Sequence, residues 1–386
     1  MSRKVNIVGA GFVGLTLAEV LSGQTTVSKV TVLDVDENKI EELKKGCIPV
    51  KEADLNLKSK KLKFVSKVED TEGDIYFICV GTPNRNGVQV IDYLELAIAS
   101  VIGFNKRATI ILKSTTLPEN VERLSKLVDP IFGKFFTSPE FMAEGKAVAD
   151  LRNQPQLIVG TSENDKEYIT KVMSDLFKGT YKDLSVVGIK EAMVIKYFLN
   201  SYKAQKLNFI NDFAWYCAEN DMKFSEVIGS INDPVMGEGF DKPGVGFGGS
   251  CFPKDTQAMG SHILSCMVAY ESNRVRVKKF TEALLTEIGS DNNQPILLFG
   301  GKAFKNGTND TRESVSIKVA KYFKSAMPGA HIYFYDMLPE ISDLTLDEVK
   351  SNKDKFDAVV VFNELPELID VFKDNKVAVY DTRAFK

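Results

Sequence analysis

Gly9-Ala10-Gly11-Phe12-Val13-Gly14 follows the apolar run Val5–Val8 and opens the amphipathic stretch Val13–Ser22. The three glycines have separate uses. The first permits a tight turn, the second lets a pyrophosphate approach the backbone, and the third lets helix and strand pack closely. Backbone N–H groups at the helix start, those of Phe12 and Val13 among them, then meet the phosphates at the positive end of the helix. Asp34 closes the next apolar run, Val30–Leu33. A carboxylate there accepts hydrogen bonds from an adenosine ribose and repels a 2′-phosphate, which favours NAD over NADP. A glycine-rich turn with no ligand is the alternative, and the agreement of strand, helix and acid argues against it. The motif does not choose among dehydrogenases.

Further apolar runs at Ile75–Val80 and Thr109–Leu112 alternate with helical patterns at about Glu37–Lys45, Tyr93–Ile102 and Pro118–Val128. Short strands are expected at Phe135–Thr137 and Leu157–Val159. This β-α-β-α order predicts a parallel sheet with helices on both faces. From Gly188 to Glu219 apolar residues recur at helical spacing with no Pro or Gly inside, which predicts one long, central, buried helix. A glycine-rich loop follows at Gly237–Gly249, then helical stretches at about Thr256–Ala269 and Asn273–Ile288. Strands return at Ile296–Phe299, His331–Tyr335, Ala358–Phe362 and Lys376–Tyr380. The expected fold is α/β, with two Rossmann-like doubly wound domains (1–187 and 291–386) joined by a central long-helix α domain (188–290).

The 386 residues are 44% hydrophobic and 26% charged, with a net charge of −3. That suits a soluble protein with a sizeable core and leaves no basic excess for nucleic acid or a membrane surface. Met1–Lys4 is polar, Val5–Val8 is too short for a signal-peptide core, and no apolar run reaches membrane-span length, so a cytoplasmic location is expected. The five cysteines are scattered and lack zinc-ligand spacing, so neither a disulfide framework nor a metal site is expected.

Gly244-Val245-Gly246-Phe247-Gly248-Gly249-Ser250-Cys251-Phe252-Pro253-Lys254-Asp255 is the most informative stretch. Its glycines let backbone approach a ligand and expose the residue that follows. A helix beginning soon after Cys251 would favour the thiolate, and Asp255 is within reach of the same pocket if the turn is helical. A thiol and a carboxylate beside a dinucleotide site suggest covalent redox chemistry: a thiohemiacetal, hydride loss to a thioester, then hydrolysis. A buried, inert cysteine is the bland reading, and it suits Cys47, Cys79, Cys217 and Cys266 better than Cys251.

In motif order and spacing the chain resembles the UDP-glucose/GDP-mannose dehydrogenase family over nearly its whole length, most specifically in the cysteine loop. Other segments fit in order. Val80-Gly81-Thr82-Pro83 is similar to the TP segment lining the cofactor site. Lys113-Ser114-Thr115-Thr116-Leu117-Pro118 is similar to KST-x-P, which implies that Thr115 is an active-site hydroxyl beside the cofactor. Ser138-Pro139-Glu140-Phe141-Met142-Ala143-Glu144-Gly145 resembles SPEF-x-x-E-G. That likeness puts Glu140 near cofactor and water, makes Glu144 an acid/base, and gives Phe141, Met142 and Glu144 substrate contacts. On the long helix, Lys196 and Asn200 share a face, and the family implies that both point at the reacting end of the sugar. Phe247 and Gly248 would touch substrate. Ala303-Phe304-Lys305 and Thr311-Arg312-Glu313-Ser314 resemble the FK…RES pattern, implying substrate at Lys305 and cofactor phosphate at Arg312. Asp381-Thr382-Arg383 is similar to the terminal D-x-R, implying a substrate contact from Arg383.

The pattern departs at Asp233-Pro234-Val235-Met236-Gly237, where Val235 occupies the place of an arginine that reaches the sugar across a dimer interface in the family. Asp212 and Asn309 are milder departures. The resemblance implies a homodimer through the central helix and a four-electron, NAD-dependent oxidation of a nucleotide sugar at its 6-hydroxymethyl group, with UDP-glucose ahead of GDP-mannose. A catalytically weak nucleotide-sugar or NAD binding protein is a second reading. A β-hydroxyacid or 6-phosphogluconate type dehydrogenase is a third, and it needs no thiol.

Overall fold

The computed structural model describes residues 2–85, 88–231, 243–288 and 294–382. It divides into two compact units, Met1–Phe198 and Leu199–Lys386. The first contains β1 (Arg3–Val8), α1 (Phe12–Ser22), β2 (Val27–Leu33), α2 (Glu37–Lys44), β3 (Leu62–Val65) and β4 (Ile75–Ile78). A small antiparallel pair follows, β5 (Asn84–Arg85) and β6 (Val88–Gln89), then α3 (Asp92–Phe104), β7 (Thr109–Leu112), α4 (Pro118–Ser125) and β8 (Lys134–Thr137). The unit ends with α5 (Ala147–Arg152), β9 (Gln154–Gly160), α6 (Lys166–Leu176), β10 (Tyr181–Val187) and the start of α7 (Ile189–Glu219).

The strand order is β10-β9-β8-β7-β4-β1-β2-β3. The six strands from β8 to β3 are parallel, and the winding reverses between β1 and β4, where a doubly wound sheet opens a crevice for ligands. Alternate residues of each strand enter separate cores. Ile7, Phe77 and Ile111 pack under α1, α5 and α6, whereas Val8, Ile78 and Leu112 pack under α3, α4 and the start of α7. The sheet is therefore covered on both faces.

The expected all-parallel direction fails at β9, which meets β8 antiparallel, and β10 follows β9. Between β8 and β9 the only helix is the six-residue α5, whose rise of about 9 Å is too short to carry the chain back along the sheet.

The second unit contains the remainder of α7, α8 (Phe224–Gly229), α9 (Phe252–Gly260), α10 (Leu264–Ile288), β11 (Ile296–Gly300), α11 (Val315–Ala326), β12 (His331–Tyr335), α12 (Leu346–Ser351), β13 (Ala358–Val361), α13 (Pro366–Phe372) and β14 (Ala378–Asp381). Its sheet is parallel, ordered β12-β11-β13-β14. Leu297 and Phe299 pack against α10 and α11, while Leu298 packs against α12 and α13, so this sheet is doubly covered too. The helix break expected near 270–272 lies instead at 261–263, just after Gly260, where the N–H groups of His262 and Ile263 both turn back to the Met259 carbonyl.

One face of α7 is buried at Ala192, Met193, Lys196, Tyr197, Asn200, Ala204, Asn211 and Ala214. The other exposes Val194, Phe198, Tyr202, Phe209, Phe213 and Tyr216. Among the described residues no helix is long and apolar enough to cross a membrane.

Candidate active site

The first glycine of the turn has φ +106°, and a Cβ there would lie 2.8 Å from the Cys79 carbonyl oxygen. A Cβ on Gly14 would lie 1.9 Å from the Gly9 carbonyl oxygen, so only hydrogen fits. A Cβ on Gly11 would meet nothing within 4 Å. That open space stands over the start of α1, whose N-cap, Gly11, supplies no side-chain cap. The N–H groups of the first turn are thus left for an anion. Oδ2 of Asp34 accepts the Ala10 N–H at 2.8 Å and pairs with Lys39 at 3.0 Å, while Oδ1 accepts the Asp36 N–H. The residues fit a dinucleotide: open glycine, uncapped helix and oriented acid. The same backbone device recurs after β11. There Gly301 donates to the Tyr335 carbonyl, and Asp336 accepts the N–H groups of Lys302 and Ala303.

Lys196 is buried, and its ammonium pairs with Glu140 Oε1 at 3.1 Å and lies 5.4 Å from the centre of the Phe141 ring. Glu140 Oε2 accepts the Met142 N–H at 2.8 Å. The anion that a buried lysine requires is therefore the acid of the 138–145 segment. Glu144 is buried. Two carboxylates missed in the sequence secure this segment. Glu52 accepts the N–H groups of Gly145 and Ala147, and Asp150 accepts that of Ala143.

Beneath it lies a third unforeseen group, Lys113, which is buried and donates to the Pro139 carbonyl at 3.3 Å. Burial lowers its pKa to about 8, with the nearby Lys196 charge acting in the same direction. Burial pushes the Cys79 thiol up to about 12, in keeping with an inert cysteine. Thr82 donates to the Thr115 carbonyl at 2.8 Å. The Thr115 side chain is half-buried, and its hydroxyl makes no hydrogen bond among the described residues.

In the second unit Cys251 is partly exposed and is the N-cap residue of α9. The positive end of that helix favours a thiolate. Asp255 lies one turn on and is 1% exposed. Its Oδ2 accepts the Asn200 amide at 2.6 Å and its Oδ1 pairs with Lys254 at 2.7 Å. Asn200, on α7 four residues after Lys196, thus orients the acid of the cysteine loop.

Two more buried asparagines hold that loop. Asn211 accepts the Gly244 N–H at 2.9 Å, and Asn273 both accepts the Phe247 N–H and donates to its carbonyl. Gly249 has φ +82°, and a Cβ there would strike the Phe304 ring at 2.8 Å. A Cβ on Gly248 would meet the Glu313 carbonyl oxygen at 2.5 Å. Sequence spacing gives no sign of these partners, because each lies on another element.

Lys305 is half-buried and makes no ion pair among the described residues. Arg312 is engaged by Asp310, its Nε 2.9 Å from Oδ1. Arg383 and the departure at Val235 lie outside the described residues.

Comparison with known proteins matches residues 3–181 to the NAD binding domain of the UDP-glucose/GDP-mannose dehydrogenase family and residues 190–274 to that family's central domain. The UDP-glucose 6-dehydrogenase TuaD of Bacillus subtilis is 29% identical over 95% of this chain and 84% of its own length. A UDP-glucose 6-dehydrogenase of Rhizobium meliloti is 30% identical over 86% of this chain and 81% of its own. The structure of a UDP-glucose dehydrogenase from Pyrobaculum islandicum superposes with a TM-score of 0.84 at 23% identity, covering 100% of this chain and 95% of that one. A UDP-D-ManNAc dehydrogenase from Pyrococcus horikoshii also gives 0.84 at 23% identity, covering 99% and 96%.

Proposed function

Because the chain belongs to the UDP-glucose/GDP-mannose dehydrogenase family, whose members are NAD-dependent oxidoreductases, we propose that it oxidises the 6-hydroxymethyl group of UDP-glucose to a carboxylate through a covalent adduct on Cys251. The observation that carries this reading is Cys251 at the N-terminus of α9, with the buried Asp255 one turn on and held by Lys254 and Asn200.

Gly11, Phe12, Val13 and Asp34 hold the cofactor, with Thr82, Thr115, Glu140 and Arg312 as further contacts. NAD⁺ supplies a hydride acceptor for each of the two oxidations. Asp255, through a water, takes the alcohol proton in the first. The Cys251 thiolate then adds to the aldehyde carbon, and Lys196 and Asn200 hold the oxygen that gains charge. The second oxidation leaves a thioester. Water, assisted by Glu144 or Asp255, opens it to the acid and returns the thiol. Phe141, Met142, Phe247, Gly248, Lys305 and Arg383 bind the sugar nucleotide. In this reading 1–187 serves the cofactor, 188–290 the thiol and the pairing of subunits, and 291–386 the nucleotide. The exposed aromatic stripe of α7 supports a homodimer, and the proposed location is cytoplasmic.

The test is NADH absorbance with UDP-glucose, UDP-N-acetylmannosamine and GDP-mannose, counting NADH formed per sugar. Two per UDP-glucose is the expected result. One per sugar refutes the thioester route. Turnover of another sugar alone refutes the substrate assignment, and tight sugar binding without NADH favours a binding protein.

A further inference from the structure

The short pair β5–β6 carries a buried glutamine that neither the motif pattern nor the proposed chemistry uses. Gln89 is 8% exposed, and its amide is saturated. Nε2 donates to the Thr115 carbonyl at 3.2 Å and to the Tyr197 hydroxyl at 3.1 Å. Oε1 accepts the Thr116 hydroxyl at 2.8 Å and the Leu117 N–H at 3.0 Å, with the Asn120 amide at 3.3 Å. Only a primary amide offers two donors and two acceptor lone pairs at this reach.

One side chain thus fixes three consecutive residues of the loop after β7 and ties them to α7 at the residue following Lys196. Thr82 takes the second lone pair of the Thr115 carbonyl. The backbone of Thr115 is clamped from two sides while its hydroxyl stays available.

We propose that Gln89 is a positioning residue for the Thr115 hydroxyl, holding it in fixed relation to α7. This rests on the reading in which Thr115 touches the cofactor. A purely structural glutamine would affect stability without regard to what occupies position 115. A positioning one must act through that side chain.

A double-mutant cycle in the full-length chain separates the two. NADH affinity is measured by fluorescence titration and kcat with UDP-glucose for wild type, Gln89→Leu, Thr115→Ala and the double variant. Gln89→Leu is expected to weaken NADH binding about fivefold and lower kcat more than about tenfold, but to add less than about twofold to Thr115→Ala. The KM for the sugar should stay within about twofold of wild type. Gln89→Glu keeps the acceptor oxygens but loses both donors while ionised, so its NADH affinity should recover in part as the pH is lowered and the new carboxyl, by taking a proton, regains one donor.

Losses that multiply in the double variant, or a Gln89→Leu variant equal to wild type, overturn the proposal. A Thr115→Ala variant that changes neither quantity overturns the Thr115 assignment and this inference with it. A wild type that binds NADH yet oxidises no nucleotide sugar overturns the substrate reading alone, and the NADH cycle still decides the part of Gln89.

Discussion

The side-chain amide of Asn200 donates to Asp255 at 2.6 Å, on the oxygen that Lys254 leaves open. Both residues are buried, so removing the amide strips a charge-assisted hydrogen bond from a carboxylate that water reaches poorly. Such a loss costs about 1–3 kcal/mol. Asn200→Ala is therefore expected to lower kcat by roughly tenfold to a hundredfold, with a smaller change in sugar KM. Steady-state kinetics beside a thermal melt check this, and wild-type kcat in a folded variant would discard the role of Asn200.

Cys251→Ser should keep NADH affinity and fold, since the side chain is partly exposed at a helix start. The hydroxyl is a far weaker nucleophile at neutral pH than a helix-end thiolate. Turnover should halt with at most one NADH per sugar and substrate retained as a partly oxidised or covalent species, read by mass spectrometry. Two NADH per sugar from this variant would rule out the thiol.

Lys113 offers a prediction in pH. Its folded pKa, about 8, lies below the ordinary 10.5, so between those values the unfolded chain binds more protons than the folded one. Stability from this group is therefore full above 10.5, and it is lost as the pH falls through about 8. Lys113→Met should flatten the rise in denaturant midpoint across that window. An unchanged slope would mean that the ammonium is not desolvated.

Gly249→Ala meets both a left-handed backbone and the Phe304 ring. The strain, on the order of 1–3 kcal/mol, should fall on the cysteine loop and reduce kcat more than NADH affinity. Equal activity would show that the loop relaxes freely.

The Phe209 and Phe213 rings lie 4.7 Å apart, tilted by 45°, on the exposed side of α7. The double change Phe209→Glu and Phe213→Glu should yield a monomer by light scattering, with a Tm that no longer rises with protein concentration. A dimer that persists would place the interface elsewhere.

The sequence was most legible where its information is local. β1, the glycine turn, α1 and Asp34 lie within one β-α-β unit, and each residue type has a conformational reason to stand where it does. The strands β3 and β10 escaped because they lie at the two edges of the sheet, where β3 buries one residue and β10 none. The reversal at β9 escaped because apolar alternation carries no sign of strand direction. Cys251, Asp255, Lys196 and Asn200 could be singled out through motif and spacing, but their partners could not. Glu140 finds Lys196, and Asn200 finds Asp255, across more than fifty positions of chain. Gln89, Glu52 and Asn273 are ordinary polar residues until the fold brings a backbone to them.

Lys196 and Asn200 are two rungs of one helix, α7, so helix geometry sets their spacing. Deleting a single residue between them would swing everything downstream through about 100° and draw it about 1.5 Å closer. Asn200 would keep its acid, because Asp255 lies downstream with it, but it would leave the helix face that Lys196 occupies. Over this short stretch the chain can drift by exchange of side chains but not by gain or loss of length, and its register is inherited whole.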